Sequence, residues 1–222
     1  MSNLIITIDG PAGVGKSTVA RLLAQQLGIA FLDTGAMYRA VTLAAMQKKT
    51  DLADKNKLLE VLQQTDFQFR ILQNQMKVSA DGVDVTEQIR NQTVTANVRH
   101  IAEAPELRAE LVKMQRSFAR EHKRIVTEGR DQGTVAFADA DFKFYLTADL
   151  TERARRRQKQ LAENGKNPNL EKIQAEIVQR DASDRNRVVG PLTPAPGAII
   201  IDTTDLDAES VVEKMLEYIE GK

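Results

Sequence analysis

The stretch "GPAGVGKS", residues 10–17, restricts the possible fold of this chain more than any other feature. It fits G-x-x-x-x-G-K-[ST] and stands between a β-branched apolar run, "LIITI" (residues 4–8), and a segment of helical apolar spacing over residues 16–27 that stops at Gly28. In that setting the glycines at 10, 13 and 15 admit close backbone approach, and successive N–H groups line an anion nest at a helix N-terminus. Lys16 supplies positive charge to β- and γ-phosphates, and the Ser17 hydroxyl is placed to reach a magnesium ion. The motif points to a nucleoside triphosphate without saying what becomes of it.

The rest of the chain continues the α/β rhythm. "IAFL" (residues 29–32) reads as a second strand before a helix over residues 36–47. "RIVTEG" (124–129), "FKFYLTA" (142–148) and "GAIIID" (197–202) read as three more, with helices between and after them. Five strands joined by crossover helices predict a doubly wound α/β domain with a parallel sheet. The middle differs: "DFQFRIL" and "MKVSADGVDV" alternate apolar and polar residues, and Asp81-Gly82 is a hairpin signal. A small antiparallel insertion is expected over about residues 65–85, followed by a long helical stretch over 91–121 that breaks near Pro105.

Bulk properties narrow the function. Lys+Arg and Asp+Glu both number 31, which argues against a general binder of nucleic acid or membrane surfaces. No apolar run approaches the roughly 20 residues that span a bilayer, and the N-terminus does not read as a signal segment. The absence of cysteine excludes disulfides, thiolate metal sites and cysteine nucleophiles, and makes the cytoplasm the expected location.

Among phosphate chemistries, a GTPase-type switch should carry N-K-x-D, which is missing. A motor-type ATPase needs an acid at the end of an apolar strand; Glu128 in "RIVTEG" matches but discriminates poorly. Transfer between two phosphates brings polyanions together, and fixed guanidiniums offset their repulsion. Arg39, Arg108, Arg130, Arg153, Arg157, Arg180 and Arg187 are spread so that only folding could make them converge. The octapeptide "RDASDRNR" (180–187) condenses the question. On a helix Arg180, Asp184 and Arg187 share one face, whereas Asp181 and Arg185 are expected to pair with each other on another.

The chain resembles the bacterial cytidylate kinases, within the P-loop nucleoside monophosphate kinases. The resemblance spans nearly its whole length, through "IDGPAGVGKST", "LDTGAMYRA", "DGVDVTEQIR", "EGRDQGTVAF", "RDASDRNR" and "IIIDTT". It implies a three-layer P-loop fold: a five-stranded parallel sheet flanked by helices, with an antiparallel monophosphate-binding insertion and a lid. The expected layout is a core over about residues 1–61, 94–150 and 188–222, the insertion over 62–93 and the lid over 151–187. The implied reaction moves the γ-phosphoryl group of ATP to CMP or dCMP with Mg²⁺, in a monomer. A kinase for UMP or AMP, or a non-catalytic nucleotide-binding module, stands as the alternative.

By position, the resemblance gives ATP the residues Gly10, Pro11, Ala12, Gly13, Val14, Gly15, Lys16, Ser17 and Thr18, with Arg153 and Arg157 closing from the lid and Ser17 on the metal. CMP falls to Thr34, Arg39, Arg108, Arg130, Asp131, Arg180, Asp184 and Arg187, with Asp131 and Arg108 reading the cytosine edge. Lys16, Arg39, Arg130 and Arg187 would carry catalysis, which needs no general base because the acceptor phosphate is already a nucleophilic anion. Three positions depart from the family pattern: Arg99, Glu128 and Thr34 replace a small hydroxyl residue, an aspartate and a serine. His100 and His122 belong to no evident constellation.

Overall fold

The apolar runs become the parallel strands β1 (Leu4–Asp9), β2 (Ala30–Asp33), β6 (Arg124–Gly129), β7 (Phe142–Thr147) and β8 (Ile199–Asp202). They form one sheet in the order β2-β6-β1-β7-β8 in a computed structural model describing residues 3–72, 75–163 and 168–221. Helices cover both faces, which is why burial runs unbroken along Ile6–Asp9 of β1 and Ile125–Gly129 of β6 rather than alternating. On one face α1 (Lys16–Leu27) and α8 (Ala208–Glu220) pack through Leu23, Val212 and Met215 against Ile6, Ile8 and Phe144. On the other lie α2 (Thr34–Gln47), α3 (Lys55–Gln64), α4 (Gln92–Ala102) and α5 (Pro105–His122), whose Met37, Leu58, Ile101, Leu107 and Leu111 are wholly buried.

Local chemistry sets the boundaries. The Asp33 carboxylate accepts from Ala36 N at 2.8 Å and starts α2 directly from the end of β2. The expected long helix is two helices, because Asn91 caps the start of α4 and Pro105 takes the first turn of α5, where its missing N–H costs nothing.

The antiparallel segment is a three-stranded sheet of β3 (Phe67–Leu72), β4 (Gln75–Ala80) and β5 (Val83–Asp84). Asp81 and Gly82, at φ of 49° and 79°, join Ala80 to its partner Val83 as a two-residue turn whose handedness matches strand twist. Helix α3 runs on to Gln64, so this sheet begins a few residues after the expected boundary at 62. Toward the C-terminus α6 (Leu150–Glu163) and α7 (Leu170–Arg185) pair through a small cluster of Ala154, Ile173 and Ile177.

Strands β1 and β6 are neighbours, with Asp9 opposite Gly129 in register. The glycine-rich loop and the segment 130–136 therefore emerge side by side at the C-terminal edge, where open α/β sheets bind their ligands.

Candidate active site

The glycine-rich loop leaves β1 at Gly10 and delivers Lys16 to the first turn of α1. A Cβ at Gly10 would collide with the Leu146 carbonyl oxygen of β7, so no other residue lets the loop turn here. Lys16 is buried, and its Nζ donates to Pro11 O at 2.6 Å. Burial, reinforced by the nearby Arg130 charge, lowers its pKa to about 7. The Ser17 hydroxyl donates to Glu128 Oε1 at 2.8 Å.

Asp9 ends β1, and its carboxylate accepts from Gln132 N at 2.9 Å and Gly133 N at 2.8 Å. Burial raises its pKa to about 6 despite these two donors. It holds the start of a π-helical turn (Gln132–Ala136), while Arg116 donates to the carbonyls of Val135 and Ala136 at 3.0 and 2.8 Å at the far end. That turn fixes the residues before it, Arg130 and Asp131.

Around this segment the expected acceptor residues gather as arginine–carboxylate pairs. Asp184 on α7 accepts from Arg130 Nε at 2.7 Å through one oxygen and from Arg187 Nη2 through the other. Burial alone would raise the Asp184 carboxyl; Arg130 and Arg187 instead hold it below its usual value. Asp131 receives the Arg108 guanidinium of α5, and both side chains are buried. Arg108 also lies 5.7 Å above the centre of the Tyr38 ring. Arg39 Nη2 donates to Asp33 Oδ2 at 3.2 Å, and Arg90 Nη2 lies 3.8 Å from the same oxygen. Thr34 Oγ1 donates to Glu128 O at 2.7 Å, tying α2 to β6. Arg180 makes no hydrogen bond or ion pair among the described residues. It is open to solvent overall, yet desolvation at the cleft and the charges of Arg130, Arg39 and Arg157 lower its pKa to about 10.

The structure thus joins residues drawn from five stretches of chain into one cationic basin beside the loop. Arg157, at the edge, donates to Gln160 Oε1 at 2.7 Å. Arg153 behaves differently from expectation: its Nη1 donates to Ala12 O at 3.1 Å and to Asp181 Oδ2 at 2.5 Å, so it holds the loop from behind. The expected Asp181–Arg185 pair forms, at 3.9 Å and with Arg185 exposed, but Asp181 is 2% exposed and makes its closer contacts with Arg153 and the loop. The buried positions of α7 are Ile173, Ile177, Asp181 and Asp184, a single stripe spaced 4, 4 and 3 residues apart. Extending the apolar stripe along the helix would have revealed the inward carboxylate. Asp9, Asp33, Tyr38 and Arg90 were also missed; Asp33 alone left a trace, as the acid just before a helix. Arg99 and His100 lie in the last turn of α4, and His122 packs tilted against Phe118 with ring centres 4.2 Å apart.

The family model for cytidylate kinase matches residues 6–221. A cytidylate kinase of Caldanaerobacter subterraneus subsp. tengcongensis is 47% identical over 214 residues, spanning 96% of this chain and 93% of that protein. Cytidylate kinase 1 of Haemophilus influenzae is 42% identical, spanning 98% and 94%. Among solved structures, an uncharacterized protein from Eubacterium ventriosum superposes with a TM-score of 0.56 over the full length of both chains at 14% identity, a likeness of fold.

Proposed function

The chain belongs to the cytidylate kinase family, and from that footing we propose that it transfers the γ-phosphoryl group of ATP to CMP or dCMP, giving ADP and CDP or dCDP. The observation that carries the reading is the basin of Arg39, Arg130 and Arg187 immediately beside the phosphate loop, with the Arg108–Asp131 pair next to it.

In this reading the loop amides and Lys16 hold the donor phosphates. Arg39, Arg130 and Arg187 take the acceptor phosphate, exchanging part of their contact with Asp33 and Asp184 for phosphate oxygens. Asp131 and Arg108 offer an acceptor and donors to the amino group and ring carbonyl of cytosine, and Arg180 and Asp184 reach the sugar and its phosphate. The acceptor is already an anion, so catalysis is alignment plus neutralisation of charge on the moving phosphoryl group. The Ser17 hydroxyl beside the Glu128 carboxylate is a set of hard oxygen ligands that fits Mg²⁺. Ser17 would hold the ion, which would supply charge neutralisation on the donor phosphates. The antiparallel sheet and the α6–α7 pair take the parts of monophosphate-binding insertion and lid, and pyrimidine nucleotide metabolism in the cytoplasm is the setting.

ADP release from ATP and Mg²⁺, measured against CMP, dCMP, UMP, AMP and GMP, tests the proposal. CMP and dCMP are expected to be the best acceptors. A preference for AMP or GMP, or ADP release independent of any acceptor, would overturn it.

A further inference from the structure

Asp181 lies inside the "RDASDRNR" segment, yet it faces away from the acceptor basin and toward the donor loop. One of its oxygens accepts from Ala12 N at 3.2 Å, across 169 positions of sequence. The other accepts from Arg153 Nη1 at 2.5 Å, and the same nitrogen donates to Ala12 O at 3.1 Å. The three groups close a ring in which both polar ends of residue 12 are engaged, its N–H by α7 and its C=O by α6. We infer that Asp181 is a positioning residue for phosphoryl transfer, setting the course of the donor loop through Ala12 and fastening that loop to α6 and α7.

Two features separate this from ordinary helix pairing. Holding α6 against α7 would require only the Arg153–Asp181 ion pair and the apolar cluster of Ala154, Ile173 and Ile177 beneath it. Engaging residue 12 adds nothing to that contact; it orients the peptide that leads into the loop amides. The next residue is fitted as tightly: a Cβ at Gly13, where φ is +82°, would stand 3.1 Å from Arg153 Cβ and 3.2 Å from Arg153 O. The loop therefore rests on the backbone of α6 as well as on its guanidinium. Carboxylate and guanidinium are both buried, with exposed Arg185 a more distant second cation at 3.9 Å, so separating the pair would leave a buried charge poorly compensated.

The consequence is directional. Arg157 and Arg180, which make no ion pair among the described residues, sit on the same two helices, so the contacts at residue 12 tie the loop to the elements that carry them. Removing the Asp181 charge should loosen the donor side and leave the acceptor pairs at Asp131 and Asp184 in place.

This inference rests on the kinase reading, and the experiment separates the two. Wild type, Asp181→Asn, Asp181→Ala and Arg153→Met are compared for kcat, for KM of ATP and of CMP, and for the Kd of ATP by calorimetry without acceptor. In Asp181→Asn, KM and Kd for ATP are expected to rise at least tenfold while KM for CMP stays within threefold. Arg153→Met should act in the same direction, and the double variant Asp181→Ala/Arg153→Met should be no more than threefold worse than the worse single variant, because both act through residue 12. ATP binding within threefold of wild type in folded Asp181→Asn, or equal losses for ATP and CMP, would overturn the assignment. Where Asp181→Asn does not fold, Arg153→Lys keeps the counter-charge and shortens the reach to Ala12 O; an unchanged ATP Kd in that variant would overturn it equally. A wild type that binds ATP but phosphorylates no monophosphate would instead refute the kinase reading, leaving the ATP Kd comparison to decide on Asp181.

Discussion

Gly190 offers a sharp test of the acceptor pocket. Its backbone, at φ +62°, lies so close to the Arg108–Asp131 pair that a Cβ would overlap Asp131 Oδ2 and come within 2.5 Å of Arg108 Nη2. Alanine there has two costs. The left-handed conformation costs a non-glycine residue about 1 kcal/mol. The methyl group must also displace one member of a buried, charge-assisted hydrogen bond, worth roughly 1.5–3 kcal/mol. Gly28 separates them, since it has the same φ of +62° and nothing within 4 Å of its would-be Cβ. Gly28→Ala should therefore lower Tm by about 2–4 °C, the shift that 1 kcal/mol produces in a chain of this size, and leave kinetics alone. Gly190→Ala should do the same and in addition cut kcat/KM for CMP by about 10- to 150-fold, the kinetic equivalent of the displaced pair. The assay is ADP release at saturating ATP with CMP varied, alongside thermal melts of both variants. If kcat/KM for CMP in Gly190→Ala stays within threefold of that in Gly28→Ala, the Arg108–Asp131 pair does not read the acceptor and the pocket assignment fails.

Three further outcomes are expected. Lys16 should take up a proton when ATP binds: near pH 8 a lysine of pKa about 7 is mostly neutral in the free protein, phosphate oxygens raise its pKa, and uptake approaches about 0.9 proton, vanishing below about pH 6, where the lysine is already charged. Calorimetry in buffers of different ionisation enthalpy reads this directly, and no uptake at pH 8 would contradict it. Arg187→Ala and Asp184→Ala should each reduce kcat/KM for CMP at least tenfold, about 1.4 kcal/mol, with exposed Arg185→Ala close to wild type; equal small losses in all three would remove the segment from the site. Leu111→Ala, which empties a fully buried position in α5, should cost about 2–5 kcal/mol in denaturant unfolding.

The parts of this molecule visible in its sequence are those with local causes. The strand–loop–helix at the start follows from apolar runs, glycine spacing and Gly28; the Asp81-Gly82 turn and the break at Pro105 follow from backbone chemistry at single residues. The pairing of arginines with carboxylates was not legible in the same way. Arg108 meets Asp131, and Arg130 meets Asp184 across 54 positions, only because crossover helices bring those elements to one edge of the sheet. The side of α7 that faces inward also depends on what packs there, so helical spacing gives the Asp181–Arg185 pair but not the closer contacts of Asp181 with Arg153 and Ala12. The buried stripe of Ile173 and Ile177 continues into Asp181 and Asp184, which carries both carboxylates inward.

The in-register pairing of Asp9 with Gly129 makes the sheet a measuring device. Adjacent strands stand about 4.8 Å apart, a spacing set by backbone hydrogen bonds rather than by side chains. The roots of the donor loop and of Arg130 are held to that gauge, and Asp9 pins the two loops together through the amides of Gln132 and Gly133. In the proposed reading, the span between the two phosphate sites is thus set by the strand spacing of the central sheet. The proposed base-reading pair lies elsewhere, between Arg108 of α5 and Asp131 before the π-helical turn, beside Gly190. Descendants of such a chain could drift toward a different nucleobase by changing those peripheral residues, and the interval across which the phosphoryl group travels would pass unchanged from one to the next.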